Sequence, residues 1–165
     1  MGKFTPLYVW FVITLLVGTI VFYLSSKGIA TLIYSFDVTH ITQIIAAIAV
    51  TANLTIGYVA WKHATDPKEW HKRRVRKWLA GVWFYATQVF LWGILGTVCG
   101  SMFLFYSSFG GTSNLASFTM ATLAPHLLPP LGIVFSTTGL GVASALFLSN
   151  QLFWYSALSG VMDDE

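Results

Sequence analysis

Four long apolar runs dominate the chain: Pro6–Leu24, Ile41–Trp61, Trp78–Phe109 and Pro129–Leu158. A bilayer core of roughly 30 Å is crossed by about 20 apolar residues in helical form, so each run is long enough to span. Thr31–Phe36 is apolar but too short to cross and belongs to the first connection. The pattern predicts an all-α polytopic membrane protein with four transmembrane helices in two hairpins, 5–61 and 78–158, joined by a loop at 62–77. The third run exceeds what a bilayer needs, so that helix is expected to tilt or to project beyond the membrane. Pro125, Pro129 and Pro130 cluster at the start of the fourth run. Proline suits a helix's first turn, where its missing N–H costs nothing, so the fourth helix is expected to start there.

Composition agrees with the pattern. Charged residues make up 9% of the chain and hydrophobic ones 56%, against about 25% charged in soluble domains. One transmembrane domain, 1–165, is expected, with no soluble catalytic domain beside it.

Charge sets the orientation. Lys62, Lys68, Lys72, Arg73, Arg74, Arg76 and Lys77 are seven of the nine Lys/Arg, all between the second and third runs. Basic loops stay in the cytoplasm, which places both termini there and puts Ser25–His40 and the Gly110–Ala124 region outside. Several of the seven tryptophans lie near run ends, where indoles favour the interface. The basic loop reads as a topology marker in contact with anionic membrane lipids, and no nucleic-acid partner is expected. Lys3 before an apolar run has the outline of a signal peptide, but the run is long and no A-x-A site follows, so the first helix is expected to be retained. Pro6 stands where a myristoylation signal needs Ser or Thr. Cys99 is the single cysteine, which excludes a disulfide within one chain.

The second hairpin holds the informative chemistry. Its third run contains Gly93-Ile94-Leu95-Gly96-Thr97-Val98-Cys99-Gly100, and its fourth contains Ser136-Thr137-Thr138-Gly139-Leu140-Gly141-Val142-Ala143-Ser144-Ala145. At 100° per residue, Gly93, Gly96, Thr97 and Gly100 fall within roughly a 100° arc. Leu131, Val134, Thr138, Gly141 and Ala145 form a similar stripe on the next helix. Small residues let membrane helices approach closely, so Gly93, Gly96, Gly100, Gly141 and Ala145 are expected to pack the hairpin. Thr137 sits about 100° from the stripe, which leaves Thr138 better placed to share a polar face with Thr97. A lone membrane threonine usually bonds the carbonyl one turn back and does nothing more. Here two of them stand in small-residue stripes on adjacent antiparallel helices.

The acids are Asp37, Asp66, Glu69, Asp163, Asp164 and Glu165, and none lies inside a span. Ion paths normally need an ionisable group within the membrane. If this chain conducts, that group must come from a partner, with the hydroxyls solvating its carboxylate.

These two segments resemble the signatures of the MotA/TolQ/ExbB proton-channel family. Gly93–Gly100 is similar to G-L-L-G-T-V-x-G, and Ser136–Leu148 to T-T-A-x-G-L-x-x-A-I-P-A. Their order also agrees: a basic cytoplasmic side, an outward helix, a short turn and a return helix. The resemblance covers the C-terminal half, about 78–158, and matches Thr97 and Thr138 to the family's pathway threonines, while the wheel positions leave Thr137 as the second candidate on the return helix. Cys99 stands where a bulky residue is common, Phe147 replaces a proline, and Ile133 stands where several members carry glutamate. Only the 16 residues from Lys62 to Lys77 stand where the family has a large cytoplasmic domain. The resemblance implies a motor subunit in the inner (cytoplasmic) membrane of a prokaryote. It further implies a homo-pentamer of this chain around single-span partners of the ExbD/TolR/MotB type, whose aspartate binds the proton or sodium ion.

Two other readings come from the residues themselves. Small-residue stripes would equally serve a non-conducting structural subunit of a larger membrane complex. His40 and His126, both near the outer face, would suffice as axial ligands for a b-type haem, although a lone interfacial histidine more often snorkels, and no cofactor is expected. His63 and His71 are expected to be solvated with the basic loop. No nucleophile–base pair, metal-spaced cluster or phosphate loop is present, so the chain is not expected to be an enzyme and no metal or catalytic residues are assigned.

Overall fold

The computed structural model describes residues 4–29, 31, 33, 40–68, 70–109 and 120–159; the side chains of 104, 107–109, 120–130 and 133 lie outside that description. Four long helices carry the fold: α1 (Thr5–Ser26), α2 (Ile41–Thr65), α3 (Lys72–Phe109) and α4 (Met120–Ser159). Among the described residues there is no strand. Three helices among the described residues are long and apolar enough to cross a membrane: α1, α2 and the Lys72–Phe103 part of α3. That is the make-up of an integral membrane protein.

Helix ends follow from local chemistry. Pro6 falls in the first turn of α1, where its missing N–H would have no partner in any case. The same helix closes at Lys27 and Gly28, and Gly28 takes φ 80°, a conformation that only glycine adopts without strain. α2 stops at Thr65, ahead of Asp66 and Pro67, because the residue before a proline is pushed out of the helical region. α3 begins at Lys72, inside the basic segment rather than at Trp78, and its 38 residues measure about 57 Å. It therefore exceeds a bilayer's thickness, as the length of its apolar run predicts.

α4 departs from expectation at its start. It begins at Met120, so Pro125, Pro129 and Pro130 lie within it instead of opening it. Each proline forfeits one backbone hydrogen bond, a loss that membrane helices absorb through neighbouring groups and local adjustment. Most of Thr31–Phe36 and all of residues 110–119 lie outside the described residues.

The core is a seam shared by α2, α3 and α4. Val75, Leu79, Val82, Ala86 and Val89 are buried on α3 at alternating steps of four and three, and Gly93, Gly96 and Gly100 continue the same steps. This 3.5-residue period keeps one line of a helix against its neighbours. Ile45, Ala52, Ile56 and Val59 of α2 and Leu148, Leu152 and Tyr155 of α4 complete the cluster. Along α3 the seam therefore changes from branched aliphatic side chains to bare glycine, and α4 can approach closely only in the glycine half.

α1 is held differently. Its sides are largely exposed, and it meets the bundle through hydrogen bonds that the apolar pattern of the first hairpin conceals. Trp10 Nε1 donates to Asn53 Oδ1 at 3.0 Å and to its carbonyl at 3.1 Å. Thr14 Oγ1 donates to Asn53 Oδ1 at 3.2 Å and accepts from Gln151 Nε2 at 3.1 Å. Gly57 lies directly under the Trp10 ring, where a Cβ would collide with it. Asn53→Leu removes the side-chain oxygen that accepts from both α1 donors and leaves Trp10 only the backbone carbonyl. It is expected to cost about 1–2 kcal/mol, the upper range for hydrogen bonds between membrane helices. Reversible unfolding in mixed micelles, followed by circular dichroism, measures this. Val12→Ala, on the exposed side of α1, serves as the control that should change nothing.

Candidate functional site

The site forms where the glycine half of α3 meets α4. Gly93 and Gly141 touch backbone to backbone: a Cβ on Gly93 would lie 3.1 Å from Gly141 Cα, and one on Gly141 would lie 2.8 Å from Gly93 Cα. One turn along, Gly96 receives the Thr137 side chain, whose Cβ and Oγ1 would each lie 2.5 Å from a Cβ there. Thr137 is fully buried. The helical wheel sets Thr137 apart from the packing stripe, whereas in the structure it plugs the Gly96 notch. Gly93, Gly96, Gly100 and Gly141 are all buried, and Ala145 is half-buried.

This close approach brings Thr97 and Thr138 together. Both are half-buried, and their hydroxyls hydrogen-bond directly to each other across the two helices. Thr97 Oγ1 also lies 3.0 Å from the Gly93 carbonyl, and Thr138 Oγ1 lies 2.7 Å from the Val134 carbonyl. Each hydroxyl has one hydrogen, so two hydrogens serve three contacts. If Thr97 donates to Thr138, then Thr138 donates to Val134 O and the Gly93 carbonyl loses the Thr97 hydroxyl. In the reverse arrangement Thr138 donates to Thr97, and the Val134 carbonyl loses Thr138. In both arrangements the hydroxyl that donates across the helices accepts nothing from the other and keeps its lone pairs open. Ser101 Oγ donates to the Thr97 carbonyl at 2.8 Å and extends the polar line along α3.

The surroundings of the pair are apolar. Helical spacing makes Ile94 on α3, and Phe135 and Val142 on α4, its same-face neighbours. All three are exposed in the single chain. A hydroxyl pair rimmed by exposed apolar side chains is in low dielectric once lipid or another chain covers it, and there its dipoles act strongly on charge.

The other histidine and metal expectations fare differently. His40 caps α2 in a left-handed conformation, is exposed, and bonds Gln43 through Nδ1 at 2.9 Å. The His126 side chain lies outside the described residues. No group of three or more metal-binding side chains occurs among the described residues. His63 is half-buried instead of solvated with the loop, and its Nδ1 pairs with the Tyr155 hydroxyl at 3.0 Å, tying the end of α2 to α4.

Sequence reasoning passed over the polar seam of Trp10, Thr14, Asn53 and Gln151. Its signal was available: Asn53 and Gln151 are amides inside otherwise apolar runs, and a membrane amide tends to find a partner on another helix. Gln151 is 2% exposed, and its Oε1 has no hydrogen-bond partner among the described residues, nor has the buried Ser156 Oγ. No family model, curated protein or solved structure matches this chain.

Proposed function

We propose that this chain is the ion-conducting subunit of a membrane motor driven by a proton or sodium gradient, with Thr97 and Thr138 lining the ion path. The chain crosses a prokaryotic inner membrane four times, with both termini in the cytoplasm. Five copies surround single-span helices of a partner, which supply the aspartate that this chain lacks inside its spans. The reading is non-enzymatic and needs no bound cofactor.

The observation that carries it is the direct hydroxyl contact between Thr97 and Thr138. A shortage of one hydrogen leaves a hydroxyl oxygen able to accept a hydrogen bond or coordinate a small cation beside a carboxylate, without titrating itself. The exposed apolar rim of Ile94, Phe135 and Val142 supports an assembled setting, in which neighbouring chains exclude water from that oxygen. Resemblance of both Gly/Thr segments to the channel family, in the right order, supports the same assignment.

One observation favours a second reading. Gly93 and Gly141 meet backbone to backbone, and each threonine hydroxyl reaches a carbonyl of its own helix. That is also how a purely structural membrane subunit would be packed. Purification of the tagged chain from its native membrane separates the two. Five-fold projection images, with a co-purifying single-span chain that carries a membrane acid, are expected for the motor subunit. A single copy within a heteromeric complex would favour the scaffold and overturn the motor assignment.

A further inference from the structure

A groove of about 360 Å³ opens between α2 and α3 at their basic ends, lined by Thr55, Lys77, Trp78, Gly81, Val82 and Tyr85. Lys77 stands at the last position of the basic segment, and Tyr85 lies eight residues further into the apolar run. At 1.5 Å per residue those two positions are about 12 Å apart along α3, close to the ~15 Å depth of one leaflet's hydrocarbon. The groove therefore starts at a cation and runs inward to roughly the reach of an acyl chain. Its floor at Gly81 is open: a Cβ there would meet nothing within 4 Å.

The groove's mouth is built as a charged aromatic shelf. Trp78 packs beside Trp70 at 5.9 Å and Tyr58 at 6.4 Å between ring centroids. Trp70 is itself buried, and the Arg74 guanidinium lies over its ring at 4.8 Å. Lys62 sits over Trp61 at 5.1 Å on the facing end of α2. Indoles settle at the depth of lipid headgroups, and cations held over their faces are fixed at that depth. Positive charge at headgroup level above an apolar trough complements one kind of molecule: an amphiphile with an anionic head and a hydrocarbon tail. A soluble polyanion would meet the cations but could not occupy the trough between Gly81 and Tyr85.

We propose that the α2–α3 groove is a binding site for an anionic phospholipid, its phosphate near Lys77 and one acyl chain over Gly81 toward Tyr85. The site involves neither Thr97 nor Thr138 and stands or falls independently of ion conduction.

The full chain, delipidated in detergent and mixed with equimolar phosphatidylglycerol and phosphatidylcholine, tests this by native mass spectrometry. Wild-type protein is expected to retain phosphatidylglycerol over phosphatidylcholine. Lys77→Ala should lower that ratio about fivefold, the factor that corresponds to roughly 1 kcal/mol per interfacial cation. Gly81→Leu fills the trough and should reduce retention of both lipids while the helical circular dichroism stays unchanged. Lys27→Ala, at the opposite end of the bundle, should leave the ratio alone. Equal retention of the two lipids by the wild type, or an unchanged ratio in Lys77→Ala, overturns the proposal. If Gly81→Leu folds poorly, Lys77→Ala decides alone.

Discussion

Gly141→Leu is expected to prevent α3 and α4 from docking, whereas Gly139→Ala, two residues away, is expected to be tolerated or mildly stabilising. A Cβ on Gly141 would lie 2.8 Å from Gly93 Cα and 3.1 Å from the Val89 carbonyl, and both obstacles are backbone. Backbone within a packed helix cannot turn aside as a side chain can. The first added methyl, in Gly141→Ala, should cost about 1–3 kcal/mol, the usual range for overpacking. Leucine adds three more carbons at the same point, and the helices must separate. A Cβ on Gly139 meets nothing within 4 Å, so Gly139→Ala should gain the roughly 0.5–1 kcal/mol by which alanine exceeds glycine in a helix. Gly96 provides a second check, because its obstacle is the Thr137 side chain. Gly96→Ala should destabilise, and adding Thr137→Gly should restore part of the loss by removing what the new methyl strikes. Reversible unfolding in mixed micelles, read by circular dichroism, ranks all five variants. A Gly141→Leu protein as stable as wild type would mean that the glycine contact does not hold the hairpin.

Much of this site is legible in the sequence, because it depends on spacing. Glycines at 93, 96 and 100 continue the steps of the buried aliphatic residues before them, and a wheel places Thr97 and Thr138 on facing stripes without any coordinates. Thr137 marks where a wheel stops being informative. A wheel ranks positions by angle, but whether an off-centre side chain is buried depends on the space opposite, and Gly96 leaves a notch of the right size. The start of α4 was hidden for another reason. Proline reads as a helix opener in one dimension, yet three prolines lie within a helix that begins at Met120. The polar seam that docks α1 is hidden by the average apolar character of the runs that hold it. Asn53 and Gln151 are single residues in long apolar runs, and their partners on α1, 43 and 137 positions away, cannot be inferred from periodicity. His63 illustrates the same limit, since only the fold brings Tyr155 to it.

The largest functional effect is expected from removing the two hydroxyls while keeping their shape. Thr97→Val and Thr138→Val each replace an Oγ1 by a methyl of similar size, so the glycine contacts beneath them should survive. The loss in stability should be small, because hydrogen bonds between membrane helices average about 0.6 kcal/mol. The loss in conduction should be far larger. A hydrogen bond to a charged group is worth about 1.5–3 kcal/mol. If a passing ion forfeits one such interaction at its barrier, the rate falls by roughly 10- to 100-fold. Thr97→Ser and Thr138→Ser keep the oxygen and should retain most of the flux. That rescue separates a chemical role for the hydroxyl from a packing role for the side chain.

Ion flux into liposomes carrying the complete complex, driven by an imposed proton or sodium gradient, tests the central claim most directly. Wild type and both serine variants should conduct, and both valine variants should conduct at least about tenfold less while still assembling. Unchanged flux in both valine variants, in complexes shown to be folded and complete, would contradict the assignment of Thr97 and Thr138 to an ion path.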